Sequence, residues 1–167
     1  MADDLEILKE LSMMLIGRHP NDFFIRTDLH CIIPKGQAGY SLNEQNKITG
    51  LKVGGLEKKV AAKMLSIIPK LECLERLVIY FDYPADIPKE ICSLKHLNYL
   101  CFNNVARLPK EVFAKKITFG SKGSDFNFAF SGNSDKIIER IALFKDFNPI
   151  LRNIEVLTDF SISKKSQ

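Results

Sequence analysis

A pattern of apolar residues is written twice between Leu71 and Val112, and it constrains the fold more than any other part of the chain. The first copy runs Leu74, Leu77, Ile79, then Asp82, then Ile87-Pro88 and Ile91. The second runs Leu97, Leu100, Phe102, then Leu108-Pro109 and Val112. Leu77 and Leu100 stand 100 − 77 = 23 residues apart. LxxLxL suits a short strand, because alternate side chains of an extended chain point the same way. A polar residue then turns the chain, and the I/L-P-x-x-I/V arm carries it back. Neither arm can bury its apolar face alone, so the copies must stack and share one core.

The two copies resemble the leucine-rich repeat family, whose signature is LxxLxLxxN/C at a period of roughly 20–29 residues. LERLVIYFDYPADIP follows that template in length, with Asp82 in the slot usually held by Asn. LNYLCFNNVARLP is two residues shorter after its strand, which puts Asn104 one place early. Degenerate copies flank this pair. Upstream are Leu51, Val53 and Leu56, with 77 − 51 = 26 residues to the next strand. Downstream, Ile117 and Phe119 follow after 117 − 100 = 17, and Leu151, Ile154, Val156 and Asp159 fit again. The resemblance implies an α/β fold: a short leucine-rich repeat solenoid with parallel strands on its concave face. Residues 48–119 would hold the repeats. Residues 1–47 would form a helix and hairpin cap, and residues 120–167 a strand-helix-strand cap, all within one domain.

The flanking segments carry their own signals. Asp3 and Asp4 can cap a helix whose face is marked by Leu5, Leu8, Leu11 and Leu15, ended by Gly17 and Pro20. That face is expected to cover the open end of the stack. Phe23 to Ile33 reads as one or two strands, closed by Pro34 and a turn from Gly36 to Gly39. Tyr40–Leu42 and Ile48–Val53 read as a hairpin around NEQNK. Leu56, Val60, Met64, Leu65 and Ile68 have helical spacing, so the first return arm is predicted helical. The arms at Pro88 and Pro109 are predicted to be single helical turns with proline at the start. Phe126, Phe128 and Phe130 alternate with smaller residues as in a half-buried strand. Ser134 or Asp135 starts a helix to about Lys145, broken at Asn148-Pro149.

A chain of 167 residues with 46% apolar content suits one domain with a real core. Its net charge of +4 is mild, and Lys58-Lys59, Lys115-Lys116 and Lys164-Lys165 are scattered, which argues against a nucleic-acid binder. Cys31, Cys73, Cys92 and Cys101 form no CxxC pair. Cys73 and Cys92 lie beside core leucines and read as buried thiols in a reducing, cytoplasmic setting. MADDLEILKE lacks the basic and apolar regions of a signal peptide, and no apolar run of membrane-spanning length occurs.

Little in the chain points to catalysis. Asp28, His30 and Cys31 cluster, yet in a strand Cys31 points away from the other two, and a zinc site would need two more ligands. His19 precedes Pro20 in a loop, and His96 sits on a return arm. No GxxxxGK[ST], GxGxxG, HExxH or GxSxG motif occurs, and Gly54-Gly55 reads as a tight turn after a strand. No metal and no cofactor are expected.

What the resemblance implies instead is a non-catalytic module that binds another protein through the variable positions of its strands. Those positions are Lys52, then Arg76, Val78, Tyr80 and Phe81, then Tyr99, Cys101 and Asn103, then Lys116 and Thr118. Tyrosine and arginine are the residue types that dominate interface energetics, and Tyr80, Phe81 and Tyr99 side by side would leave an apolar patch of the kind that marks a contact surface. A second use is binding of nucleic acid or an anionic ligand through Lys52, Arg76 and Lys116. A third is a small enzyme built on Asp28 and His30. The sequence leaves the oligomeric state open.

Overall fold

Leu77 and Leu100 stand side by side on adjacent parallel strands, and so do Ile79 and Phe102. The 23-residue step in the sequence is therefore a step between neighbouring strands. The computed structural model describes residues 3–16, 24–27, 38–121, 124–126, 136–147 and 149–157. In chain order the elements are α1 (Asp4–Ile16), β1 (Phe24–Arg26), β2 (Ala38–Leu42), β3 (Ile48–Leu56), α2 (Lys58–Ile67), β4 (Arg76–Asp86), β5 (Tyr99–Pro109), β6 (Thr118–Ser121), β7 (Ser124–Phe126), α3 (Ile137–Phe147), α4 (Pro149–Arg152) and β8 (Glu155–Leu157). This is a mixed α/β chain with one eight-stranded, mostly parallel sheet in the order β1-β2-β3-β4-β5-β6-β7, with β8 paired to β5 off that path.

The strands β3 to β6 run parallel in one continuous register. Leu51, Leu77, Leu100 and Phe119 form one cross-sheet row, and Val53, Ile79 and Phe102 a second. All are buried, at 4% exposure or less. The steps between strands are 77 − 51 = 26, 100 − 77 = 23 and 119 − 100 = 19 residues. The first step is the longest because its return arm is. The first arm is a full α-helix followed by a 3₁₀ turn at Ile68–Lys70, whereas the next two are 3₁₀ turns alone, Lys89–Ser93 and Lys110–Ala114. Pro88 and Pro109 immediately precede those turns as N-caps, where their missing N–H costs nothing. The arms pack in succession and turn Ile68, Leu71 and Leu74, then Ile91, Leu94 and Leu97, then Val112, Phe113 and Ile117 into the same core.

Three expectations about the repeats need correction. Phe119, not Ile117, stands opposite Leu100, so the last step is 19 residues and Ile117 belongs to the end of the return arm. The residues Glu155–Leu157 do not extend the row. They pair with Arg107–Pro109, the far half of β5. Both β4 and β5 are also long, at 11 residues each. Their pairing lapses after Tyr80–Asn103 and resumes at Ala85–Val105. Two asparagines bridge the gap. The Phe81 N–H donates to Asn103 Oδ1 at 2.7 Å, and Asn104 Nδ2 donates to the Phe81 carbonyl at 2.8 Å. Asn104 adopts φ 48°, a left-handed conformation that asparagine tolerates better than most residues.

The ends of the sheet are closed differently. At one end the β2–β3 hairpin forms as its sequence predicts, with Asn46 at φ 57° and Asn43 Oδ1 accepting the Gln45 and Lys47 N–H groups. β2 already begins at Ala38, inside the stretch expected to be a turn. The helix α1 packs on α2 and β3, the elements of the first step. Its buried face is Ile7, Leu8, Leu11 and Ser12, while Leu5 is exposed, which rotates the face away from the expected leucine stripe. The cause is Asp4. Asp3 caps the helix through the Leu5 N–H, whereas Asp4 is buried and accepts the Ile48 N–H at 2.8 Å and Lys47 Nζ at 3.3 Å. At the other end α3 lays Phe144 against Phe113 and Phe119, with ring centroids 5.1 and 5.0 Å apart, and Arg140 Nη1 donates to the Phe113 carbonyl at 2.6 Å.

The Asp28, His30 and Cys31 cluster, His19, and Phe128 and Phe130 lie outside the described residues. No helix among the described residues is long and apolar enough to cross a membrane.

Asp4→Ala would leave the buried Ile48 N–H without an acceptor and remove the Lys47 ion pair. We expect a loss of about 1–3 kcal/mol in unfolding free energy, read as a lower urea midpoint with an unchanged slope. An unshifted midpoint would show that α1 is held by its apolar face alone.

Candidate docking face

Alternation along the parallel strands divides their residues between two faces. With Leu77, Ile79 and Phe81 turned inward on β4, the outward positions are Arg76, Val78 and Tyr80, each half-buried. Register places Arg76 between Gly50 and Tyr99, Tyr99 in turn beside Thr118, and Val78 between Lys52 and Cys101. Tyr80 lies beside Asn103. The structure thus brings most of the expected contact residues onto one face. Two of them it does not. Phe81 is 1% exposed and packs edge-on against Tyr83 at 5.9 Å, so it belongs to the core. The residue sits at the same parity as Leu77 and Ile79, a signal already present in the sequence. Lys116 is exposed but precedes β6 and has no place in the ladder.

The face is tiled rather than bristling. The Arg76 guanidinium carbon lies 4.2 Å from the Tyr99 ring centroid, a cation–π stack. Tyr99 reaches diagonally toward β6, where a Cβ built on Gly120 would come within 2.6 Å of its hydroxyl oxygen and 3.0 Å of Cys101 Sγ. Tyr80 runs alongside Gly54, whose Cβ would meet its ring at 3.4 Å, and its hydroxyl lies 3.8 Å from Cys101 Sγ. The two tyrosines therefore close over Cys101. That explains why a residue on the outward side is only 5% exposed. Glycine at 54 and 120 is what lets the rings come down onto the sheet. A strand-interior glycine is a sequence signal for such close approach, and neither position was legible as part of the face. Asn103 has a divided role, because its side-chain oxygen is already committed to the Phe81 N–H.

Among the described residues the other titratable groups are dispersed. Among the described residues no group of His, Cys, Asp and Glu could hold a metal ion. His96 is exposed. Arg107 and Asp86 pair by two hydrogen bonds at the far ends of β4 and β5, which raises the guanidinium further above its ordinary value. Cys73 and Cys92, expected to be buried, are half-exposed. Burial nonetheless pushes the Cys92 thiol up to about 11, with Glu111 adding to the rise. Burial also lowers Lys115, whose ammonium donates to the Leu94 carbonyl. A groove between α1 and α2 is lined by Ile7, Met13 and Met14 among charged side chains, with no nucleophile and base arranged in it.

Comparison with protein-family models, with curated proteins and with solved structures finds no match to this chain.

Two outcomes follow from these contacts. Gly120→Ala should force Tyr99 off the sheet or strain it, costing about 1–3 kcal/mol by overpacking and shifting the Tyr99 ring resonances. Ring resonances identical to wild type would show that the close approach is not maintained in solution. Cys92 should behave as a poor nucleophile at neutral pH, since the thiolate is the reactive form. Its folded pKa is raised, so the folded state holds the proton more tightly. The stability this contributes is present below pH 9 and is lost as pH rises from 9.0 towards about 11. Iodoacetamide labelling of Cys92, followed by mass spectrometry, should still be accelerating between pH 9 and 11. A rate that levels off by pH 9 would contradict this.

Proposed function

We propose that this chain is a small module of the leucine-rich repeat type that captures another protein on the outward face of its parallel strands, without catalysis. The reading is supported by the 23-residue step between paired strands, by return arms that pack in succession, and by a core shared between copies. In this reading the sheet is the concave wall of a short solenoid, α1 and the β2–β3 hairpin cap one end, and α3 with β8 caps the other. The reduced thiols at Cys73, Cys92 and Cys101 suit a cytoplasmic setting.

One observation carries the functional part: Tyr80 and Tyr99 lie on the outward face, each against a glycine, with Arg76 stacked on Tyr99. Tyrosine and arginine offer large contact area at low ordering cost, and truncating one at an interface centre costs about 2 kcal/mol or more. Neither tyrosine contributes to the apolar rows beneath the sheet. Tyr80→Ala and Tyr99→Ala should therefore leave the circular dichroism spectrum and melting behaviour close to wild type. Each should weaken capture of the partner from a native lysate at least tenfold. Capture unaffected by both substitutions would end this reading.

A further inference from the structure

Arg76 is a charged group that the core-facing architecture does not explain. It opens β4 at the centre of the sheet, is half-buried, and stacks on Tyr99. Its Nε is buried without a hydrogen-bond partner, and no salt bridge among the described residues includes it. A guanidinium held flat by a ring has already lost much of its rotamer freedom, and it is less strongly hydrated than an ammonium. It therefore gives up little on binding an anion. The paired outward positions on β3 to β6 carry a second cation, Lys52, and no carboxylate, and their row reaches an acid, Asp125, only on β7. The nearest acid further along β4, Asp82, lies beyond Tyr80 in the stretch where pairing lapses, beside Gly55.

We propose that Arg76 is the anion-receiving point of this face, and that the partner presents an aspartate or glutamate side chain to it within an otherwise apolar or aromatic segment. This rests on the docking reading above and adds the chemistry of the occupant. The carboxylate accepts from the Nη groups of Arg76, since Nε is covered. The flanking apolar residues of the partner cover Val78 and the ring faces of Tyr80 and Tyr99. Charge complementarity argues for this occupant: a carboxylate meets a half-buried cation that has no counter-ion among the described residues, whereas a basic or neutral segment would bury that cation unpaired.

The test uses the full chain and a displayed library of random 12-residue peptides. Wild type should enrich peptides with one acidic residue at a fixed distance from an aromatic or branched apolar residue. In a chosen peptide, changing that acid to its amide should weaken binding to wild type by about ten- to a hundredfold, the range for a hydrogen bond to a charged group. On Arg76→Gln the acid and amide forms should bind alike, which a merely structural role for Arg76 would not produce. The comparison on the wild-type protein needs no variant, so it stands even if Arg76→Gln folds poorly. Selected peptides with no acidic preference, but sensitive to Tyr80→Ala, overturn the anion proposal and leave the docking reading standing. Peptides insensitive to Tyr80→Ala and Tyr99→Ala, or no enrichment at all, overturn both. Displacement of the peptides by oligothymidine, with a steep salt dependence, makes the face a nucleic-acid platform and also overturns the proposal.

Discussion

The parallel pairing of β4 with β5 in the register Leu77–Leu100 is the constraint from which the remaining structure follows. Parallel neighbours cannot be joined by a tight turn, because the chain must first return to the end where it began. The return segment lies over one side of the sheet, so its apolar side chains and the inward side chains of the strands are forced together. In this chain the same arrangement recurs on both sides of the pair. β3 adds a step with a long helical arm, and β6 adds one with a short arm. Each added strand buries the row laid down by its neighbour. The change from an α-helix to a 3₁₀ turn accompanies the fall from the 26-residue step to the 23-residue one, and the 19-residue step keeps a 3₁₀ arm with a shorter connection into β6.

A row of this kind leaves its two ends with apolar surface and no further copy to cover it. The ends are closed by different chemistry. At the first, a buried carboxylate, Asp4, ties α1 to the start of β3 through the Ile48 N–H. A buried charge is costly unless it is hydrogen-bonded and paired, and Asp4 has both a backbone donor and Lys47. At the second, Phe144 meets Phe113 and Phe119 edge-on, those two rings are tilted to each other, and Arg140 ties α3 to the Phe113 carbonyl. A polar pin sets the position and rotation of α1, and aromatic bulk packs α3.

The parts of this architecture that repeat were legible, and the parts that depend on single contacts were not. Apolar spacing located β4 and β5, their pairing, the hairpin before them and the proline-led turns after them, because burial of rows acts on many residues at once. The rotation of α1 depends on the hydrogen bond that Asp4 accepts from the Ile48 N–H, which no periodicity reports, and that is why the leucine stripe misplaces Leu5. β6 was placed two residues early because Ile117 and Phe119 are both apolar and both buried, one on the arm and one on the strand. The same slip hid Gly120, which only the correct register sets beside Cys101. Phe81 is a different case. Strict alternation already turned it inward, and its aromatic character outweighed that signal wrongly.

The division between the two faces bears on what substitution can do here. Inward residues are shared between copies, so changing one disturbs two arms and a row. Outward residues touch mainly one another, and Arg76, Tyr80 and Tyr99 lie over backbone or over each other rather than within the core. That separation lets a surface change its specificity while its support stays intact. Asn103 and Gly120 are the exceptions. The first holds the Phe81 backbone where strand pairing lapses, and the second leaves the space that Tyr99 occupies. They couple the outer tiling to the strands beneath, so replacing either should alter recognition and stability together, whereas the charge at Arg76 can be removed with little consequence for the rows below it.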